Sequence, residues 1–373
     1  LEATLKEETT MNGPHILDHY RTQLADQISE RGNELPDFNP LNISPWLAMS
    51  LMQKSIRRGR EDLALRSAAT LLKISPERLW RRLCITAYED IGVADYEVVS
   101  LVTAALKGKR LRAEIGGEWA VASYLIGIMC EAIKCRAADD LAVVIDWHPD
   151  LENARLDFTF KPIPELLKLA TGNGTLPERA LAVWYAIGTD RCSSSVLRER
   201  RGEPQAVFDY LCEIGFPDTV VEIAREGFRK CNEVIAPFTV PLWREAQQFA
   251  RHAEPDDIPE EEMIGEVPGW AYDMHVREGN QAMARFLETD CKTTRWVEAN
   301  LPPNGRVKFM GGILFRVESG LVSNRLRWEV GDDLRRMAEY ECPGLRHKKA
   351  AEIMNLLRRD LPMLNEARHN VAT

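Results

Sequence analysis

The chain has 373 residues, 45% hydrophobic and 28% charged, which suits a globular protein with a substantial core rather than a disordered or fibrous one. Lys and Arg total 48 against 57 Asp and Glu, so the net charge of −9 excludes a uniformly basic nucleic-acid coat. No apolar run is long enough to cross a bilayer and no basic-then-apolar leader opens the chain, so a cytoplasmic protein with no membrane contact is expected.

Leu1–Thr10 precede Met11, the expected natural start, and are set aside from the fold. From Pro14 to Glu30, Ile16, Leu17, Tyr20, Leu24 and Ile28 recur at helical spacing. Pro36, Pro40 and Pro45 then predict an extended stretch. Ser44-Pro45 opens the next helix as N-cap and first-turn proline, and Gly59 ends it after Arg58. A helix from Glu61 to Lys73 follows, then one restarted by Ser75-Pro76-Glu77 that ends near Gly92. Asp95 caps its successor. Glu118–Lys134 is the most apolar helix and is expected at the centre, with Ala137–Trp147 after it. Helices at Glu178–Ile187, Pro204–Ile214 and Asp218–Cys231 are separated by Gly and Pro corners without a fixed repeat.

The acidic, proline-containing stretch Glu254–Glu266 reads as a linker. Beyond it, helices are expected at Asn280–Glu288, Glu329–Glu341 and Lys348–Arg359. Val307–Val317 reads as a helix despite its β-rich composition, and Leu156–Phe160 as a possible short strand. The expected class is all-α. The expected organisation is an arm and helix at 1–40, a helical module at 41–150, a helical middle region at 151–253, the linker at 254–266 and a small C-terminal helical domain at 267–373. The eight cysteines are scattered through apolar patterns with no CxxC, and reduced buried thiols are expected.

Two segments carry the most information. Lys54, Ser55, Ile56, Arg57, Asp62, Ala64 and Leu65 form the first, and Arg81, Arg82, Leu83, Glu89, Asp90, Ile91, Gly92, Ala94 and Asp95 the second. In residue type and spacing they resemble the start of the helical C-terminal (collar) region of the RarA/MgsA replication-recombination ATPases, relatives of the clamp loaders. The resemblance covers about one-sixth of the chain and fades beyond Ala105. It implies a clamp-loader-collar-like helical bundle at 41–150, extended by further helical hairpins, and a homo-oligomer, a tetramer in that family. It also implies a context of DNA replication, recombination or mobile-element maintenance, with DNA, a replication protein or a separate ATPase as partners.

About forty residues precede this collar-like region, too few for the ATPase module found in that family. The sole Gly-Lys, Gly108-Lys109, is followed by Arg110 rather than by the Ser or Thr that a P-loop needs for Mg²⁺, so ATP hydrolysis is not expected. No cofactor is implied, and whether the chain is an enzyme stays open, with a non-catalytic role favoured.

Residues 41–112 carry 13 Lys and Arg against 7 Asp and Glu, a local charge of +6 on an otherwise acidic body. Lys54, Arg57, Arg58 and Arg60, with Lys107, Lys109, Arg110 and Arg112 of a short basic loop, are the candidate contacts for DNA or a partner. The loop has no interleaved aromatics for single-strand stacking. Glu89 and Asp90 end a helix, where carboxylates oppose the helix dipole and require cations. Arg81 and Arg82 on that helix, with Arg57 from its neighbour, are the expected partners in a buried network locking three helices.

Asp273, His275, Arg277 and Glu278 form an alternative acid–base cluster suited to a hydrolase, although a capped loop explains the same residues. Asp139, Asp140 and Asp146 at helical spacing are the acidic set a metal-dependent nuclease would use, and an exposed helix start is their plainer reading. His15 and His19 stand one turn apart without a third metal ligand, and no metal site is expected. A helical interaction scaffold without nucleic acid is the remaining alternative.

Overall fold

The computed structural model describes residues 13–32, 34–342 and 350–372. The chain is all-α, as its periodicity predicts. Its first helices are α1 (Gly13–Glu30), α2 (Pro45–Arg58), α3 (Glu61–Ile74), α4 (Pro76–Thr86), α5 (Tyr96–Ala105), α6 (Lys109–Glu114), α7 (Glu118–Glu131) and α8 (Ala137–Trp147). Next come α9 (Glu152–Phe158), α10 (Ile163–Thr171), α11 (Leu176–Ile187), α12 (Pro204–Glu213), α13 (Asp218–Cys231) and α14 (Ile235–Ala246). The last are α15 (Arg277–Phe286), α16 (Lys292–Asn300), α17 (Arg306–Leu314), α18 (Glu329–Arg336) and α19 (Ala350–Ala372). Leu156–Phe160, read as a possible strand, is helical through Phe158. The predicted start at Lys348 lies outside the described residues, as do Leu1–Thr10.

The local signals in the sequence act as expected. The Ser44 hydroxyl accepts from the Leu47 amide, and Gly59 closes α2 in the left-handed region at φ 66°. The Asp95 carboxylate accepts from the Val98 amide at the start of α5. After α4 the backbone widens into a π-helical turn, Ala87–Ile91, that stops at Gly92 with φ 52°. A β-carbon on Gly92 would lie 2.8 Å from the Cys135 carbonyl, so this position requires glycine twice over.

One large apolar core is built from α1–α5 and α7–α14 and closed by Leu326, Trp328, Leu334 and Ala338. The central helix α7 contributes Val121, Leu125, Ile126 and Met129, all fully buried. A second core joins α15, α16, α17 and α19 through Met283, Phe286, Ile313, Ile353 and Leu357. Between them Leu47, Leu51 and Leu63 pack against Ile264, Val267 and Trp270. Helix α2 contributes to the first and third of these cores, and Leu47 to Arg58 are buried without interruption.

The acidic stretch 254–266 runs fastened to its surroundings. Strand β1 (His252–Glu254) pairs antiparallel with β4 (Arg325–Arg327), and β2 (Met263–Ile264) forms a hairpin with β3 (Val267–Pro268). The Asp256 carboxylate accepts from Arg325 at 2.7 and 2.9 Å, from Arg335 at 3.0 Å and from the Val322 amide at 2.9 Å. Glu261 accepts from the Trp270 indole at 2.8 Å, and Glu262 from Asn365 at 2.8 Å. The buried Asp256 carboxylate is thus matched by two arginines, which is what low-dielectric surroundings demand.

Cys84 and Cys231, expected as reduced thiols, are joined as a disulfide linking α4 to α13 across 147 residues. Nothing in their spacing marks the pair, because the two helices meet only in the folded chain. The other six cysteines are free, five of them buried.

A buried ion-pair web beneath an arginine-lined cleft

Lys54, Arg57 and Arg58 were candidates for a basic surface. They are instead 4%, 3% and 9% exposed, because α2 runs through the middle of the molecule. Lys54 Nζ lies 2.8 Å from Oδ2 of Asp273 and donates to the Ser50 hydroxyl one turn earlier. Desolvation lowers the pKa of the Lys54 amine, opposed by the Asp273 charge. The Arg57 guanidinium donates through Nε to Asp90 at 2.7 Å, through Nη2 to Glu89 at 2.5 Å and through Nη1 to the Ser319 carbonyl at 3.1 Å. Arg58 stacks 4.9 Å above the Trp270 ring and donates to the Glu318 carbonyl at 2.9 Å. Its pKa falls to about 10, chiefly through desolvation.

Arg136, at the start of α8, completes the web. It pairs with Asp90, Asp139 and, at 3.2 Å, Glu89. Arg57 and Arg136 both lie over the Phe315 ring, at 5.5 and 5.1 Å. The π-helical turn presents Glu89 and Asp90 side by side to these two cations. Burial works to raise the Glu89 carboxyl, but Arg57 and then Arg136 hold it down to about 2. Asp139 behaves oppositely. Burial pushes its carboxyl up to about 7 against Arg136, and the Glu89 charge adds to the rise.

Arg81 and Arg82 were expected as the partners of Glu89 and Asp90, and they are not. Side chains seven or more residues apart on a helix are separated by two turns, beyond ion-pair reach. Arg81 is 61% exposed, 3.6 Å from Glu233, and donates to the Cys231 carbonyl at 3.3 Å. Arg82 is half-buried and donates to Gln53 at 3.1 Å. Arg57 joins the internal lock as expected, while Arg81 and Arg82, expected in it, face a cleft instead.

Three basins there share wall residues. The first, about 720 Å³, is lined by Trp46, Arg78, Arg81, Arg82, Arg191 and Glu233 among others. The second, about 490 Å³, continues inward past Trp46, Met49 and Arg82 to Lys54, Asp139 and Asp273. The third, about 720 Å³, shares Arg81 with the first and includes Trp80, Lys107, Lys109 and Lys230.

Of the predicted basic loop, Lys107 and Lys109 are exposed and line the third basin. Arg110 is exposed and pairs with Glu114 at 2.9 Å. Arg112 is buried against the Trp80 ring at 4.0 Å and paired with Glu118 at 2.9 Å, so it belongs to the packing rather than to a surface. Arg60 is partly exposed and bridges Asp62 and Glu261. The residues sequence reasoning missed are Trp46, Arg78 and Arg191, which come from three separate segments; the exposed tryptophan beside an N-cap was the one available signal.

In the alternative cluster, Asp273 is fully buried, with Oδ1 accepting from the His275 backbone amide at 3.0 Å. The carboxylate therefore fixes a turn and neutralises Lys54, while His275 lies at the wall of the second basin, Arg277 is exposed and Glu278 is half-buried. Asp146 accepts from Ser194 at 2.6 Å, away from Asp139 and Arg136. Among the described residues, no three His, Cys, Asp or Glu side chains converge as a metal ion requires. The chain matches no protein-family model, no curated protein and no solved structure.

Proposed function

We propose that the chain is a non-catalytic, oligomeric accessory protein of DNA replication, recombination or mobile-element maintenance that holds a polyanion in the arginine-lined cleft. The observation that carries this reading is the gathering of Arg78, Arg81, Arg82 and Arg191 around one concavity with the exposed Trp46. Glu89 and Asp139 in the same wall are already matched by Arg57 and Arg136, and Glu233 faces Arg81, so the rim keeps a surplus of arginines to attract negative charge. The replication context comes from the collar-like segments of α2 to α5. Their internal lock suits a rigid assembly platform, with nucleotide hydrolysis left to a separate ATPase.

The test is DNA binding measured over a range of salt concentrations. Affinity is expected to fall linearly with salt on logarithmic axes, and Arg81→Ala to reduce the slope by about one. Absence of binding at low salt, or binding indifferent to salt, overturns the reading. Light scattering tests the assembly: a monomer at high concentration removes the oligomer from the proposal.

A further inference from the structure

The geometry points to a single-stranded polynucleotide as the occupant of the cleft, with an unpaired base stacked on Trp46 and the backbone crossing Arg81; this rests on the polyanion reading above. Trp46 is the second residue of α2, held in place by the Ser44 cap and Pro45. It is 57% exposed, in a protein whose other large aromatic side chains are mostly buried. The Arg78 guanidinium lies 4.7 Å over its ring, and the same ring lines two of the three basins. A cation on one face and open cleft beside it make the indole a stacking platform, since every base has a π-face to offer and only an unpaired base can present it.

Arg81 supplies the second half of the argument. It belongs to both 720 Å³ basins, is 61% exposed and has only a long contact to Glu233 besides the Cys231 carbonyl. A guanidinium so loosely held is free to take a phosphate passing from one basin to the other. The basin beyond it carries Lys107, Lys109 and Lys230, so the track has an aromatic platform at one end and flexible ammonium groups at the other. Beneath Arg81 the Cys84–Cys231 disulfide ties α4 to α13, which fixes the floor of the track. A duplex buries its base faces and would use only the cations, leaving Trp46 without a role.

The experiment compares an oligothymidylate, an abasic strand of the same length and charge, and a duplex, by fluorescence anisotropy. The wild type is expected to bind oligothymidylate roughly tenfold more tightly than the abasic strand, the effect of about one stacked base. Trp46→Ala should erase that difference without weakening the abasic strand, Trp46→Phe should largely restore it, and Arg81→Ala should weaken both strands alike. Trp46 is exposed, so the variants are expected to fold, which circular dichroism checks. Equal binding of oligothymidylate and abasic strand overturns the single-strand proposal and leaves the polyanion reading standing. So does tighter, Trp46-independent binding of duplex. Failure of all three ligands at low salt overturns both.

Discussion

Arg57 places its Nε 2.7 Å from Oδ1 of Asp90, deep between α2 and the π-helical turn that follows α4. Asp90 is fully buried and also receives Arg136, while its backbone carbonyl accepts from the Cys135 amide at 2.9 Å. Removing this one carboxylate charge would leave two guanidiniums buried with only Glu89 and Asp139 to share. Asp90→Asn is therefore expected to cost about 3–5 kcal/mol, the penalty for an unmatched buried charge. Urea denaturation of the variant checks this; a loss below about 1 kcal/mol would show that the pair is hydrated in solution.

The division between buried and cleft-lining arginines separates stability from binding. Arg57→Ala should lower stability by a similar amount, and any DNA affinity it loses should track the fraction unfolded. Arg81→Ala should leave the urea midpoint almost unchanged, because its contacts are exposed or long. Measuring the midpoint and the salt slope on the same two variants decides the assignment.

Protonation of the web gives a two-sided pH dependence. Burial lifts the Asp139 carboxyl to about 7 and the Asp140 carboxyl to about 6, in each case against Arg136. An unfolded Asp titrates near about 3.9. The folded state thus binds more protons in between, and this contribution is complete below the unfolded value and lost as pH rises through 6 and 7. Glu89 has the opposite sign: held down to about 2, it contributes above its unfolded value and is lost as the pH falls toward 2. The melting temperature should rise on acidification from pH 8 to about 5 and fall below about pH 4. The double variant Asp139→Asn, Asp140→Asn should flatten the first limb only; a limb of unchanged slope would assign it to other groups.

The Cys84–Cys231 bond closes a loop of 147 residues. Chain entropy alone makes such a cross-link worth about 5 kcal/mol against the unfolded state. Reductant is expected to lower the urea midpoint of the wild type and to leave Cys84→Ser unmoved. Thiol titration in denaturant should count six groups before reduction and eight after it. Eight at the outset would contradict the bond.

Helix ends were legible because their causes are local: Ser44 and Pro45, Gly59, Gly92 and Asp95 act within a turn of themselves. The all-α class followed from the same periodicity. What the residues near α2 could not reveal was which way its cations face. Lys54 and Arg58 read as a solvated basic strip until Asp273 and Glu318 arrive from more than 200 positions away. Arg57 as a partner of Glu89 and Asp90 was readable, since two adjacent helices with a short corner must meet. Arg136 was not, because nothing local distinguishes it from a surface arginine at a helix start. The cleft was illegible for the same reason: Trp46, Arg78 and Arg191 share no segment.

The placement of α2 also sets a timetable. During synthesis at about 5–20 residues per second, the 262 positions separating Arg57 from its acceptor Ser319 take roughly ten to fifty seconds to appear. For that interval α2 can pair Arg57 with Glu89 and Asp90, but Lys54 lacks Asp273, Arg58 lacks the Glu318 carbonyl, and Leu47 and Leu51 lack Ile264, Val267 and Trp270. The nascent chain would then wait in a collapsed, incompletely paired form with its central helix unsettled. Folding rate, and the demand on chaperones, should depend on residues 318–323 far more than their number suggests.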